Sequence, residues 1–256
     1  MITVIPIFKK TISQMEISSL ECAIEKLKEY KIVVIAPESL DISLYKKKYP
    51  TLSFEFFSDQ YFDDLRGYNK LMLSKEFYSR FIYSKYILIY QLDAYIFKND
   101  LEYWILKDYD YVGAPWPKRK VYNNLLFKIY FKFTLFFTTL LRKPNRQEIF
   151  EKVGNGGFSL RKTEPHLKAV TVYEREIREM LSKKRHHLYN EDVFFGYRVN
   201  NLGKMNFSIP DFKESLKFSF DKNPELCYKI NQFQLPMGCH GWSKEKYYPF
   251  WKQFIK

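Results

Sequence analysis

Three cysteines in 256 residues, Cys22, Cys227 and Cys239, form no C-x-x-C pair and leave an odd count. That argues against a disulfide scaffold and a thiolate zinc site, and it fits a reducing compartment. Glycine is also scarce, with 9 copies, and no G-x-G-x-x-G or Walker-type loop occurs. The phosphate cradles of dinucleotide folds and P-loop NTPases are therefore missing, so any nucleotide is held in another way. No serine sits in a G-x-S-x-G elbow and no cysteine has a recognisable His partner motif, which leaves hydrolase triads without support. The opening run, MITVIPIFKK, carries no basic leader region or small-residue cleavage site, and the expectation from it is a cytoplasmic protein.

What the chain has in excess is aromatic residues, 24 Phe and 21 Tyr, enough to bury a sizeable core in one domain spanning residues 1–256. Apolar runs at 3–8, 31–37 and 52–57 read as strands, and 14–30 carries Ile17, Leu20, Ile24 and Leu27 at helical spacing. Residues 68–83 read as a further helix, 108–117 as a strand leaving the sheet, and 165–183 as helical. This alternation predicts an α/β fold, Rossmann-like in its first half, with a mostly parallel central sheet flanked by helices.

Charge is unevenly spread. The 42 Lys and Arg against 29 Asp and Glu give +13. Eight basic residues and no acidic one fall between Lys118 and Gln147: Lys118, Arg119, Lys120, Lys128, Lys132, Arg142, Lys143 and Arg146. Within this basic aromatic insert, 118–150, the run 121–141 reads as a helix whose polar positions Asn124, Lys128, Lys132 and Thr139 lie near one face. Two lysines interrupt an apolar stretch shorter than the roughly 20 residues of a spanning helix. The expectation is a helix lying in a membrane interface on anionic headgroups, against the alternative of a core or oligomer contact.

Four short segments carry the chemistry. In YILIYQLDAYIF, Tyr86 to Phe97, a buried strand delivers one carboxylate, Asp93, to the edge where open α/β sheets bind ligands. In GNGGFSLRK, Gly156 and Gly157 permit close backbone approach to a ligand. In NEDVFF, Glu191 and Asp192 open a helix, where its dipole stabilises carboxylates. In GCHGW, His240 is an isolated histidine, and the adjacent His186 and His187 read as surface residues.

Together YILIYQLDAYIF, YVGAPWP, GNGGFSLRK, NEDVFFGYRV and LPMGCHGW occur in an order that resembles a family of largely uncharacterised bacterial and fungal glycosyltransferase-like domains of the GT-A class. The resemblance spans roughly residues 1–250 apart from the basic insert. It implies a single GT-A domain that moves a sugar from a nucleotide-sugar donor to a saccharide or lipid-linked acceptor, with inversion, in cell-surface polysaccharide or lipopolysaccharide synthesis. Carried over by position, Asp192 is the catalytic base, and Glu191 binds acceptor hydroxyls or orients that base. Asp93 and His240 are the ligands of Mn2+ or Mg2+, with Tyr95 standing where the second acid of the Asp-x-Asp motif belongs. The donor-binding set is Asp93, Tyr95, Arg66, Asn69, Gly156 and Gly157, and Arg66, Lys70, Arg161 and Lys244 are cations for the leaving diphosphate. The expected place is the inner face of the cell membrane, with no nucleic acid bound. Two alternatives stay open at this point, a nucleic-acid-binding protein and a non-catalytic sugar-binding domain.

Overall fold

The structure, a computed structural model, describes residues 1–118, 124–141, 143–183 and 186–255, with backbone only at Thr139. Arg119, Lys120 and Arg142 of the basic insert lie outside the described residues.

The strands are β1 (Ile2–Pro6), β2 (Lys31–Pro37), β3 (Ser53–Phe57), β4 (Tyr86–Tyr90), β5 (Ala94–Ile96), β6 (Tyr111–Val112), β7 (Ala114–Pro115), β8 (Val153–Gly154), β9 (Phe158–Lys162), β10 (Ser219–Phe220) and β11 (Gly238–His240). The main sheet has the order β3-β2-β1-β4-β9-β6. Its first four strands run parallel, and β9 is antiparallel to both β4 and β6. Alternate residues of the parallel strands enter two cores, as period-two geometry requires. Val4, Val33, Ile87 and Ile89 face α3 (Leu65–Met72), α4 (Lys75–Arg80), α7 (Thr163–Val172) and α8 (Glu174–Ser182). Ile5, Val34, Leu88 and Tyr90 face α1 (Gln14–Lys26), α2 (Ser43–Lys48) and α5 (Leu101–Leu106). The mostly parallel sheet flanked by helices is thus the one the alternation predicts.

Three expected elements are shortened or divided. The helix expected over 68–83 is two helices, because the Ser74 hydroxyl accepts from Phe77 N (3.0 Å) and starts a new one. The stretch 165–183 is α7 and α8, meeting at Tyr173, whose hydroxyl donates to Val199 O (3.0 Å) and accepts from Met205 N (2.8 Å). The strand expected to reach Asp93 ends at Tyr90. Gln91 N donates to Gly157 O (2.8 Å) and Ala94 N to Gln91 O (2.8 Å), so the chain turns at 91–93. Residues 94–96 then pair antiparallel with β11 in a second sheet, β10-β11-β5. That turn is what positions the site.

Candidate active site

A crevice of about 450 Å³ opens at the carboxyl ends of β1 and β4, the edge where parallel sheets place ligands. Ile7, Phe8 and Lys9 line it from β1, Asp64 and Tyr68 from the start of α3, and Gln91 and Asp93 from the turn. At its end three side chains meet on His240. Asp93 Oδ1 lies 2.9 Å from His240 Nε2, Gln91 Oε1 lies 3.1 Å from the same nitrogen, and Asp221 Oδ1 lies 3.2 Å from Nδ1. Lys244 Nζ stands 3.6 Å from Asp93 Oδ2. Burial disfavours charge here, but His240 and Lys244 outweigh it and hold the Asp93 carboxyl at about 2. Burial also opposes protonation of His240, yet Asp93 and Asp221 raise its pKa to about 9.

The loop 154–157 ties this cluster to the acidic pair. A Cβ on Gly157 would sit 2.1 Å from His240 Nε2 and 2.7 Å from Gln91 Oε1, so only glycine lets those side chains close over the backbone. A Cβ on Gly156 would sit 1.5 Å from Glu191 Oε1. Asn155, left-handed at φ 67°, donates its backbone N–H to Asp192 Oδ2 (3.2 Å) and accepts from Gly157 N at Oδ1 (2.9 Å). Its buried Nδ2 has no hydrogen-bond partner among the described residues.

Glu191 and Asp192 begin the short helix α9 (Glu191–Val193), which widens into a π turn over Phe194–Arg198. They are neighbours in sequence and opposites in environment. Glu191 is 4% exposed and pairs with the fully buried Arg161 at 2.9 Å. Burial pushes its carboxyl up to about 7, with Arg161 opposing that shift. Arg161 also donates to the Tyr78 hydroxyl (3.0 Å) and to Gly156 O (3.3 Å), so this pair clamps the glycine loop to the acidic helix. Asp192 is half-buried, beside Lys222 and Asp221, and burial raises its pKa. Of the two, Asp192 is the carboxylate that reaches solvent.

The structure therefore brings together Asp93, His240, Gly156, Gly157, Glu191 and Asp192, and leaves other expected residues elsewhere. Tyr95 packs its ring against Phe97 and Trp242 in the second sheet. Arg66 donates to Leu181 O at the far side of α3. Asn69 is buried and accepts from Glu191 N at Oδ1 (2.6 Å), which orients α9 instead of lining the crevice. Of the four cations expected at the diphosphate, Lys244 alone stands at Asp93, since Arg161 is committed to Glu191 and Lys70 lies with Arg66 on the outer face of α3. Gln91, Asp221 and Lys222 were not legible as site residues. The one available signal was the Gln91-Leu92-Asp93 spacing, an x-separated pair ending in the same carboxylate.

A family model described as "Protein of unknown function (DUF5672)" matches residues 51–240, most of the chain. The chain belongs to that family. No curated protein matches the sequence. Among solved structures the chain is similar to the galactosyltransferase LgtC in complex with donor and acceptor sugar analogues. Their TM-score is 0.56 at 9% identity, covering 100% of this chain and 97% of that one. It is also similar to mouse xyloside xylosyltransferase 1 in its apo form, with TM-score 0.50 and 11% identity over 94% of this chain and 97% of that one. Apo WbbM, a bifunctional glycosyltransferase, has TM-score 0.51 at 12% identity over 93% of this chain, which spans 45% of WbbM. At such identities the likeness is one of fold, and that fold is GT-A.

Proposed function

We propose that this protein is a glycosyltransferase that moves a sugar from a nucleotide-sugar donor to a saccharide acceptor. The observation that carries the reading is the loop 154–157, which meets the crevice end at His240 through Gly157 and the carboxylate of Asp192 through Asn155 N, two residues apart. A diphosphate leaving group and an attacking hydroxyl need these two kinds of group side by side.

Metal chemistry fits the donor set. Gln91 Oε1 and Asp93 Oδ1 lie 3.1 and 2.9 Å from His240 Nε2, close to the ~3 Å edge between neighbouring ligands about 2.1 Å from one ion. Asp221 on the other ring nitrogen is the outer carboxylate that orients metal-bound imidazoles. Gln91, Asp93 and His240 would hold Mn2+ or Mg2+ once His240 Nε2 gives up its proton to solvent, and the ion would supply charge neutralisation of the departing diphosphate. Among the described residues no group of three His, Cys, Asp or Glu gathers around one point, and Gln91 completes the set in place of an acid.

Asp192 accepts the proton of the acceptor hydroxyl as that oxygen attacks the anomeric carbon, a general-base step for which its raised pKa suits it. Single displacement of this kind inverts the anomeric centre. Lys244, beside Asp93, places a positive charge at the diphosphate end, and Asn155 Nδ2, unpartnered among the described residues, offers a donor to a sugar hydroxyl. The finer reading, a lipid-linked acceptor in cell-surface polysaccharide or lipopolysaccharide synthesis, draws its support from the sequence resemblance.

The test is a thermal-shift screen against nucleotide diphosphates and nucleotide sugars, each with Mn2+ and with EDTA, followed by transfer assays with NMR of the product anomer. A shift with one nucleotide family and turnover with inversion support the reading. Binding without turnover leaves a non-catalytic sugar-binding domain, and a retained anomer removes Asp192 as the base.

A further inference from the structure

The helix α6 (Leu125–Leu140) leaves its apolar side uncovered. At 100° per residue, its partly buried positions Phe131, Thr134 and Thr138 fall on one narrow strip. Leu125, Ile129, Phe133, Phe136, Phe137 and Leu140, all exposed, fall within a sector of about 120° on the other side. Lys128 and Lys132, four residues apart and both exposed, border that sector. Several of these side chains are exposed to an extent seldom seen on a soluble surface: Leu125 70%, Phe133 62%, Phe136 63% and Leu140 67%.

The root of the helix is held. Asn145, 7% exposed, donates from Nδ2 to the Thr138 hydroxyl (2.8 Å). Ile149, just beyond, packs with Trp116, Leu188 and Val193. Val193 adjoins Asp192, so the helix springs from the flank of the candidate site.

Charge and length select what covers the exposed sector. From Lys118 to Gln147 the segment has no acidic residue to answer its own cations, so a second copy would meet like charge. A 16-residue helix is about 24 Å long, and its exposed apolar sector runs the whole of that length. No helix among the described residues is long and apolar enough to cross a membrane. An amphipathic helix with an aromatic face and a lysine border matches an anionic lipid surface on all three counts. We infer that α6 docks the protein on an anionic membrane surface, with the Phe133 and Phe136 sector in the acyl boundary and Lys128 and Lys132 at the headgroups. This docking uses no residue of the candidate active site. Where it is combined with the proposed transfer, it turns the Asp192 flank toward saccharides carried on lipid.

The test is sedimentation of the full-length protein with vesicles of phosphatidylcholine alone and of phosphatidylcholine with phosphatidylglycerol. Partition into the anionic vesicles is expected to be at least about tenfold stronger and to fall with added salt. Lys128→Glu with Lys132→Glu should weaken it about tenfold or more, and Phe133→Ser with Phe136→Ser should weaken binding to both vesicle types. The salt titration of the unaltered protein stands even if a variant folds poorly. Equal binding to both vesicle types without salt dependence overturns the inference. So does absence of vesicle binding together with a dimer in sedimentation velocity that Phe133→Ser with Phe136→Ser dissolves.

Discussion

Around His240, both ring nitrogens are met by side chains from two separate parts of the chain, Gln91 and Asp93 on Nε2 and Asp221 on Nδ1, with the backbone of Gly157 close beneath. Along α6 the apolar side chains of one whole sector stay exposed among the described residues. Polar groups taken out of water carry a large penalty unless each finds a partner, so a buried polar cluster is positioned within narrow limits. Apolar groups left in water have no such geometric demand, and their exposure marks a surface that is covered by something else. One region is built for positional accuracy and the other for contact with a medium, and substitutions should separate them.

The largest effect is expected at Asp192. Asp192→Asn removes the proton acceptor with little change in shape, and transfer should fall about thousandfold, some 4 kcal/mol of barrier. Nucleotide binding by thermal shift should persist, and turnover near the unaltered rate would mean that another group is the base. Next comes the clamp behind it. Arg161→Met leaves Glu191 buried beside no cation, which should cost about 3–5 kcal/mol in urea unfolding. A loss near zero would show that Glu191 takes up a proton and needs no partner.

Gly157→Ala probes the crowding itself. With its Cβ 2.1 Å from His240 Nε2, the loop or the imidazole must shift, at about 1–3 kcal/mol. Any Mn2+-dependent thermal shift should disappear with it, and a retained shift would show that His240 is not a ligand.

His166 gives a pH readout outside the site. Its ring is fully buried among Tyr78, Tyr111, Phe195 and Phe207, with Nδ1 2.9 Å from Lys162 O. Burial, then Arg161, lowers its pKa well below 6.5. The unfolded chain therefore binds the proton that the fold refuses, so the contribution is present above pH 6.5 and is lost as pH falls. The slope is about 1.4 kcal/mol per pH unit, and His166→Phe should flatten it in unfolding curves taken from about pH 7 to about pH 5.

The smallest effect belongs to α6. Phe133→Ser with Phe136→Ser should leave urea stability within about 0.5 kcal/mol, because neither ring is packed in the core. A loss of several kcal/mol would make α6 part of the folded body and erase the contrast with His240.

The sequence by itself determined the elements whose signal is local. The extent of β2 at Lys31–Pro37, the start of α1 at Gln14 and the strand leading toward Asp93 all follow from periodicity within a few residues. The glycine loop, the acidic pair and His240 were legible as chemistry, and they do converge. Tertiary structure alone decided how they divide the work. Glu191 and Asp192 have the same side-chain chemistry, and only the position of Arg161 on β9 makes one a buried clamp and the other an open carboxylate. Gln91 carries no titratable group to draw notice, and Asp221 lies 19 residues from the histidine it holds. Tyr95, two residues past Asp93, left the crevice because the chain turns at 91–93 and pairs with β11, a contact between segments nearly 150 residues apart. Local patterns specify which backbone forms. Which side chains meet depends on the packing of distant segments, where a one-residue change of register sends a side chain to the opposite face.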